Sequence, residues 1–400
     1  MTILLLTLGF PKDKNASNLY VDLMQEFLRN GNEVYVACQN ERRYKCETTI
    51  QNINGIKVLR IKTGNITKTN LAEKAVTTLT LEHDFIKAIK AFLPNVKFDL
   101  CIYSTPPITF EKVVTYIKNT HNCPSYLLLK DIFPQNAVDL EIIKIGGILW
   151  RYLRAKERRL YNVSDYIGCM SKGNVDYILK HNPKIAPVKI EVCPNSIYPI
   201  AQKNYDIKEI RHKFEMPNDC VVYLYGGSLG KPQGLDFLKD VLLRCNSRKD
   251  IFFMIVGDGT EFAKLEKFLL ENEIKNAKIT REIGSLEYHE LLGACDVGLI
   301  FLDKRFTIPN FPSRFNSYLE LSMPCIAATD TATDIKDVIR EANCGLWVKS
   351  GDTDGFIDAV DTLSSDAILR KQMGINAREY LEQHYTVSKS YNIIAAHFKA

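Results

Sequence analysis

Short apolar runs alternate with longer amphipathic stretches along the chain. The first run, ILLLTLG, is followed by a segment in which Tyr20, Leu23 and Phe27 recur on one helix face, and NEVYVAC follows that segment. The alternation continues through FDLCIYS, SYLLLKD, DYIGCMS and KIEVCPN. Short continuous apolar strands that alternate with helices predict a parallel sheet covered by helices on both faces.

The same alternation restarts after about residue 205. CVVYLYGG and IFFMIVGDG each precede a helical period, and CDVGLIFL, PCIAATD and GLWVKS supply further strands. The aperiodic stretch CPNSIYPIAQKNYDI, with its Pro and Asn residues, predicts the boundary. We therefore expect an α/β chain with two Rossmann-like, doubly wound domains, 1–200 and 201–384, and a C-terminal helix, 385–400, that packs back towards the first. Ligands of such sheets bind at the carboxyl ends of the strands, so we expect the site in the cleft between the domains.

Composition narrows the class of protein. A net charge of +5 over 400 residues is too small and too dispersed for a nucleic-acid partner. The eleven cysteines are scattered without a CxxC pair and predict buried thiols in a reducing compartment. MTILLLTLGF lacks a basic leader and predicts a first strand, and no apolar run is long enough to span a bilayer. We expect a cytoplasmic protein, peripheral on the membrane if it contacts one.

Two glycine-containing turns follow strands in the second half. In YLYGGSLGKPQGL, the residues Gly227, Gly230 and Gly234 free backbone amides before a helix, which suits a diphosphate, and Lys231 adds a charge. The alternative is an ordinary strand–loop–helix turn. In MIVGDG the structural alternative is stronger, because Asp258-Gly is favourable turn chemistry.

Two further segments complete the candidate donor site. EIGSLEYHELL predicts a strand end at Ile283-Gly284 and a helix start near Ser285, where backbone groups would contact a base or merely connect two elements. FPSRFNSYLELSMPCIAATD predicts a helix with Ser313 as its capping hydroxyl and Arg314 as a bidentate phosphate donor.

The first half offers one catalytic candidate. In LLLKDIFPQN, Lys130 and Asp131 follow an apolar strand and are expected at its carboxyl end. Asp131 could orient an acceptor hydroxyl or stabilise positive charge at a reacting carbon, and the alternative is a cap on the next short helix. The loop with Asn15 and Ser17 and the turn with Ser104 and Thr105 are weaker candidates for acceptor contacts.

The segment 146–161, GGILWRYLRAKERRLY, combines arginines with aromatic and aliphatic residues on a helix. Such a helix can lie on an anionic membrane surface, here the inner membrane. An ordinary solvated helix face explains the same pattern equally well.

The ordered series of segments resembles a family 4 glycosyltransferase of the GT-B fold, of the bacterial surface-polysaccharide (capsule or O-antigen) subgroup. The resemblance covers nearly the whole chain, from GFPKDKNASNLYVDL to ANCGLWVKSGDTDGF. It implies a retaining transfer of a hexosyl or N-acetylhexosaminyl group from a nucleotide-sugar donor, UDP being the expected nucleotide. It also implies a saccharide acceptor, expected to be polyprenyl-linked, and no metal or other cofactor. Together, the residue pattern and the resemblance give the candidate donor-binding residues Gly227, Ser228, Gly230, Lys231, Gln233, Asp258, Ile283, Ser313, Arg314, Ser317 and Glu320.

The chain departs from the family's pattern at the donor site. Many relatives have Arg at the position of Ser228 and Lys at that of Gln233, and the family's paired glutamates would fall on Pro309 and Ser317. Glu320, one helical turn beyond Ser317, is the candidate replacement. We interpret the site as rebuilt. Two alternatives remain: a catalytically silent GT-B scaffold, which would bind no nucleotide or bind without turnover, and a nucleotide-sugar epimerase, which would act without an acceptor.

Overall fold

The computed structural model describes residues 1–14, 16, 18–66, 69–201 and 203–398. The chain divides into two compact units, the first formed by Met1–Ile197 with Val387–Ala400 and the second by Tyr198–Thr386. The observed boundaries therefore fall after Ile197 and after Thr386. The predicted boundaries, after residues 200 and 384, lie close to them.

The first unit contains an eight-stranded sheet with the order β3-β4-β2-β1-β5-β6-β7-β8. All neighbouring strands are parallel except β3 and β4. The strands are β1 (Thr2–Thr7), β2 (Glu33–Glu41), β3 (Thr49–Ile53), β4 (Ile56–Thr63), β5 (Leu100–Ser104), β6 (Ser125–Leu129), β7 (Tyr166–Cys169) and β8 (Ile190–Val192).

Helices follow most of these strands, as the alternating pattern predicts. The Asn18 side chain caps α1 by accepting the backbone N–H groups of Tyr20 and Val21, both at 2.9 Å. The helices of this unit are α1 (Leu19–Arg29), α2 (Leu71–Phe92), α3 (Glu111–His121), α4 (Gln135–Asp139), α5 (Ile148–Val163), α6 (Lys172–His181) and, from the C-terminal segment, α15 (Val387–Ala396). The helix α15 packs on α1, where the rings of Tyr391 and Phe27 meet edge to face.

The second unit contains a six-stranded, fully parallel sheet with the order β11-β10-β9-β12-β13-β14. The strands are β9 (Val221–Gly226), β10 (Ile251–Val256), β11 (Ala277–Thr280), β12 (Val297–Phe301), β13 (Cys325–Thr329) and β14 (Gly345–Lys349). Every residue of β9, β10, β12 and β13 is buried, which explains why these strands are continuous apolar runs. The predicted strand end at Ile283 is wrong, because β11 ends at Thr280, whereas the predicted helix does begin at Ser285.

The helices of the second unit cover both faces of its sheet. They are α7 (Ile207–Lys213), α8 (Leu235–Cys245), α9 (Phe262–Glu271), α10 (Ser285–Gly293), α11 (Arg314–Glu320), α12 (Ile335–Ala342), α13 (Thr353–Ser365) and α14 (Ala367–His384). Asp352 caps α13 through the Gly355 N–H at 3.0 Å, as its position before the helix predicts.

Each sheet has one place where the strand order reverses direction. In the first unit β1 lies between β2 and β5, and in the second β9 lies between β10 and β12. Loops that leave such a pair of strands diverge to opposite faces of the sheet and leave a crevice at the carboxyl ends. Of the described candidates, Gly227 and Ser228 directly follow β9 at the second switch point, and Ser104 and Thr105 lie at the end of β5 at the first.

The described part of the chain has no helix that is both long and apolar enough to cross a membrane. All eleven cysteines are free, and eight of them, such as Cys101 and Cys325, are buried. The expectation of buried thiols therefore holds for most of them.

Candidate functional sites

The loop after β9 is held in shape by its own backbone and by the neighbouring strand. Gly227 has φ of +121°, a conformation that residues with a side chain rarely adopt. The next residue, Ser228, is exposed, and Leu229 is buried with its N–H donating to the Asp258 carbonyl at 2.9 Å. The loop therefore presents Gly227 and Ser228 to solvent at the carboxyl end of the strand.

The turn at 257–259 packs directly against this loop. A Cβ added at Gly257 would lie 1.8 Å from the Gly227 carbonyl oxygen, so no larger residue fits there. The Asp258 carboxylate accepts the N–H of Gly259 at 2.9 Å and pairs with exposed Arg281 at 3.2 Å. Close packing and turn hydrogen bonding therefore suffice to explain the Gly-Asp-Gly sequence. The turn supports the loop after β9 from one side.

The second half of the loop packs on the other strand of the switch point. Residues 231–233 form one 3-10 turn, which ends at Gly234 with φ of +59°. A Cβ at Gly234 would lie 2.9 Å from Asp303 Cα, just after β12. Gly230 is half-buried, and Lys231 is exposed and forms no ion pair within the described residues.

Arg314 lies over this loop and is held by two contacts. Its guanidinium stacks on the Tyr225 ring, 4.3 Å from the centroid, and its Nη2 donates to Gln233 Oε1 at 3.2 Å. Its Nη1 is buried and has no hydrogen-bond partner among the described residues. A Cβ at Gly227 would lie 3.3 Å from Nη2, so the missing side chain at Gly227 keeps this space open.

Tyr225 lies beneath the Arg314 guanidinium, and Tyr288 lies close enough to interact with it electrostatically. The Tyr225 hydroxyl donates to the Ser228 carbonyl at 2.7 Å, which fixes the loop. Tyr288 approaches Gly226 so closely that a Cβ there would lie 1.8 Å from its hydroxyl oxygen. Burial raises the pKa of Tyr288 to about 12, so the ring stays neutral near the guanidinium. Arg314 is thus a fixed cation with an unpaired N–H donor, packed against uncharged tyrosine side chains, and this arrangement suits the binding of an anion.

The helix α11 supplies Arg314 but differs from the prediction at its start. Ser313 is exposed, has helical φ and ψ, and makes no capping hydrogen bond, so the predicted capping hydroxyl is wrong. Ser317 is half-buried on the same helix, and Ile283 is half-buried between β11 and α10.

Glu320, the candidate replacement for the absent glutamate, is buried and already occupied. One carboxylate oxygen accepts the Ile200 N–H at 3.0 Å, and the other lies 3.3 Å from His289 Nε2. His289 in turn contacts the Tyr205 hydroxyl through Nδ1 at 3.0 Å. These bonds tie the start of the second unit to α10 and α11, and they give Glu320 a structural role instead of the predicted ligand contact.

In the first unit, Thr105 joins the strand ends of β5 and β6. Its hydroxyl accepts the N–H of Lys130 at 2.9 Å and that of Asp131 at 3.2 Å. Ser104, one residue earlier, is buried, and its hydroxyl oxygen has no hydrogen-bond partner among the described residues. The predicted acceptor residues Asn15 and Ser17 lie outside the described residues.

Among the described residues, Asn136 is the one side-chain partner of the Asp131 carboxylate. Both of its oxygens accept from Asn136 Nδ2, at 2.9 and 2.8 Å. Burial raises the pKa of Asp131 to about 6, while hydrogen bonds from the Ile132 N–H and from Asn136 partly oppose that rise. The first residue of α4 is Gln135, and Asp131 makes no cap bond to that helix. A carboxyl whose pKa is raised in this way suits a group that accepts a hydrogen bond or proton.

Lys130 faces a different environment. It lines a small cavity, and burial lowers the pKa of its ammonium. Within the described residues this ammonium has no hydrogen-bond acceptor. The residues that line the cavity with it are Leu19, Tyr20, Leu23, Leu128, Cys193, Pro194, Ser196 and Ser390.

Two functional candidates were missed by the sequence analysis. Tyr225 and Tyr288 hold the loop and the space around Arg314, but isolated tyrosines in a strand and a helix carry no signal of that role. Gln233 was predicted only as the replacement of a family lysine, whereas here it orients Arg314. The spacing of 81 residues between Gln233 and Arg314 explains why no local pattern links them.

The chain is similar to known proteins both in sequence and in fold. Residues 206–380 match the family described as "Glycosyl transferases group 1". A curated relative, "Probable glycosyltransferase WbjE" of Pseudomonas aeruginosa, is 21% identical over 330 residues, which cover 79% of this chain and 80% of that protein. The matched family segment lies within the second unit, where the Arg314 site is.

Two solved structures are similar over nearly the full chain. One is Anabaena Alr3699/HepE in complex with UDP and glucose, with a TM-score of 0.71, 15% identity and 99% of each chain covered. The other is WaaG, a glycosyltransferase involved in lipopolysaccharide biosynthesis, with a TM-score of 0.69, 15% identity, and 98% of this chain and 99% of that chain covered. The predicted fold class, α/β with two Rossmann-like domains of the GT-B type, is confirmed.

Proposed function

We propose that this chain, which carries a group 1 glycosyltransferase domain, transfers a sugar from a nucleotide-sugar donor to a saccharide acceptor. UDP is the proposed nucleotide, and we propose transfer with retention of configuration, as the resemblance to family 4 implies. The observation that carries the proposal is the unpaired, buried Nη1 of Arg314 at the switch point of the second unit. A buried donor without an acceptor is costly, and a diphosphate oxygen would supply the acceptor.

The donor diphosphate would lie between the loop 227–234 and Arg314. Gly227 and Ser228 are exposed there, and Lys231 provides a second cation that no carboxylate of the described residues pairs with. Two cations and loop amides can stabilise the negative charge that develops on a leaving nucleoside diphosphate. We therefore propose that transfer needs no metal ion. The UDP bound to the similar Anabaena protein supports the choice of nucleotide.

Asp131 is the proposed catalytic residue of the first unit. Its pKa of about 6 leaves the carboxylate ionised at neutral pH, with Asn136 fixing both oxygens. An ionised carboxylate can accept a hydrogen bond from an acceptor hydroxyl or stabilise positive charge at the anomeric carbon. The leaving phosphate would take the proton of the attacking hydroxyl. Lys130, which lines the small cavity, is proposed to act on the acceptor side.

The acceptor saccharide and the polysaccharide that is synthesised are also proposed. We propose a polyprenyl-linked saccharide in the synthesis of a bacterial capsule or O-antigen. The similarity to WaaG, a glycosyltransferase involved in lipopolysaccharide biosynthesis, supports this choice. The transferred group would be a hexosyl or N-acetylhexosaminyl unit.

The experiment that tests this function is product analysis with a panel of UDP-sugars, with and without polyprenyl-linked acceptors. We expect a glycosylated acceptor, released UDP, and an unchanged anomeric configuration by NMR. Asp131→Asn should abolish product while leaving nucleotide binding intact. The matched control is Gln135→Ala, at the first residue of α4 and next to Asn136. A changed sugar formed from donor alone would identify an epimerase. Nucleotide binding without turnover would identify a silent scaffold.

A further inference from the structure

Exposed apolar side chains are concentrated in one segment of the first unit, residues 142–152. Five large ones protrude there, with exposed fractions of 62% for Ile142, 62% for Ile145, 91% for Ile148, 56% for Leu149 and 43% for Tyr152. Elsewhere in the described chain, exposed large apolar residues occur singly or in pairs along the sequence. A concentration of this kind marks an interaction surface rather than ordinary surface variation.

The helix α5 determines which of these side chains face outward. Its buried residues, among them Lys156, Leu160 and Tyr161, occupy one side. Ile148, Tyr152, Ala155 and Arg159 follow each other at helical spacing on the other side, and all are exposed. The exposed side is therefore mostly apolar in its first two turns, where Arg151 is the one exposed cation, and basic in its last two. We call this face, with Ile142 and Ile145 before it, the α5 surface.

The charges on the α5 surface are almost all positive. Lys144, Arg151, Arg158 and Arg159 are exposed and form no ion pair with the described residues. Across residues 141–162 the one exposed carboxylate is Glu141, at the start. The remaining acid of the helix, Glu157, is buried and bound by Arg154 and by the Tyr161 hydroxyl.

An open pocket of about 320 Å³ adjoins the basic end of the α5 surface. Arg158 and Asn162 of α5 form one side, and His181 and Lys184 belong to the other lining residues. Lys184 is exposed and has no ion pair in the described chain. The pocket therefore offers two uncompensated cations and an amide, which suits a phosphate group.

We infer that the α5 surface binds the interface of a bilayer that contains anionic lipids. The apolar side chains from Ile142 to Tyr152 would enter the headgroup–acyl boundary, while Arg158, Arg159 and Lys184 contact lipid phosphates. A second copy of this chain fits poorly, because a twofold contact would bury the exposed Lys and Arg side chains of both copies with Glu141 as the one exposed carboxylate of the surface. The inference goes beyond the proposed transfer reaction and does not depend on it.

The test is binding of the full chain to sedimented vesicles of neutral lipid and of neutral lipid with about 30% anionic lipid. We expect at least about tenfold stronger binding to the anionic vesicles, and a marked loss at about 0.5 M salt, where surface charges are screened within a few ångströms. Ile148→Ser with Leu149→Ser should remove binding at low salt, and Arg158→Glu with Arg159→Glu should remove the preference for anionic lipid. The matched controls are Leu270→Ser and Lys267→Glu on the exposed face of α9, in the second unit.

A spectroscopic measurement locates the contact. The protein has two tryptophans, Trp150 within the α5 surface segment and Trp347 in β14. In a Trp347→Phe variant, brominated lipid should quench Trp150 emission if α5 enters the interface. The inference is overturned if the wild type binds neither vesicle, if it binds both equally, or if the α5 double variants bind like the controls. It is also overturned if the wild type forms a dimer that Ile148→Ser dissociates. A failure of the proposed transferase activity would appear in the nucleotide and product assays and leave these results unchanged.

Discussion

The guanidinium of Arg314 lies 4.3 Å from the centre of the Tyr225 ring, and both residues sit at the carboxyl end of the strands that flank the switch point. Stacking and a hydrogen bond to Gln233 fix the guanidinium plane, while Nη1 stays unpaired. Because a preorganised cation loses little freedom on binding, this pair is the part of the second unit best prepared for an anionic ligand.

Substitution of Arg314 should weaken nucleotide binding. Arg314→Ala removes the fixed charge-assisted donor, which contributes about 1.5–3 kcal/mol and corresponds to roughly a 10–150-fold rise in Kd for a nucleoside diphosphate. Arg314→Lys should restore part of the charge but not the stacked plane. Isothermal titration calorimetry measures both, with Arg340→Ala, at an exposed arginine of α12, as the matched control. An unchanged Kd in Arg314→Ala would remove Arg314 from the site.

Substitution of Gly227 should affect both stability and binding. Gly227→Ala forces a side chain into a backbone with φ of +121° and places its Cβ 3.3 Å from Arg314 Nη2. Backbone strain of this kind costs on the order of 1–3 kcal/mol, and displacement of the guanidinium weakens nucleotide binding further. Thermal unfolding and titration of the variant measure the two effects. Gly9→Ala, where nothing lies within 4 Å, is the control and should change neither.

The pH dependence of transfer should follow Asp131. Burial raises the pKa of this carboxyl to about 6, so activity should fall as pH drops through that value. In the unfolded chain, Asp131 ionises near the ordinary Asp pKa, which is lower. The free energy of unfolding therefore falls as the pH rises from that value to about 6, and it stays lower above pH 6. Asp131→Asn should therefore have lower kcat and a free energy of unfolding at pH 8 that is equal to or above that of the wild type. A variant that loses both activity and stability would argue for a structural role.

Asn136 should act as a positioning residue for Asp131. Its Nδ2 donates to both carboxylate oxygens, and this hydrogen bonding lowers the Asp131 pKa. Asn136→Ala should thus shift the acid limb of the pH–rate profile to higher pH, in addition to reducing kcat. Gln135→Ala, whose side chain bonds Asp139 at 2.8 Å, should leave the profile in place. A profile that does not move in Asn136→Ala would contradict the positioning role.

Glu320 should matter for stability and not for the nucleotide. Glu320→Ala leaves the Ile200 N–H and His289 without their acceptor, and the loss of buried charge-assisted hydrogen bonds costs about 2–3 kcal/mol. The melting temperature should fall, while the Kd for UDP stays within about twofold after correction for the folded fraction. A large rise in Kd with an unchanged melting temperature would restore Glu320 as a ligand residue.

The fold was largely predictable because many of its strands, such as β9, β10, β12 and β13, are buried on both faces. Runs such as IFFMIV and VVYLYG have no polar alternation, and only a covered parallel sheet explains so many of them in succession. The ends of a strand were less predictable where its residues are not a continuous apolar run. β11 is half-buried throughout, and its sequence therefore gave no sharp signal for its end at Thr280.

The candidate site was predictable in its glycines and in Arg314, and less so in its contacts. Glycines at 227 and 234 are required by backbone conformation, which leaves a direct trace in the sequence. The side chains that hold Arg314 come from distant segments, and their role depends on the register of the strands. Glu320 could not be interpreted correctly from the sequence. Helical spacing predicts that it lies near Ser317, but not that its carboxylate is bonded to Ile200 and His289.

The central claim, that the second unit binds a nucleoside diphosphate through Arg314, is tested most directly by thermal unfolding with UDP, GDP, CMP and ADP. At about 100 times its Kd, a ligand stabilises the native state by about 2.7 kcal/mol, which gives a clear rise in melting temperature. We predict a rise with UDP in the wild type and little or none in Arg314→Ala at the same concentration. No rise with any nucleotide, or an equal rise in the variant, would contradict the claim.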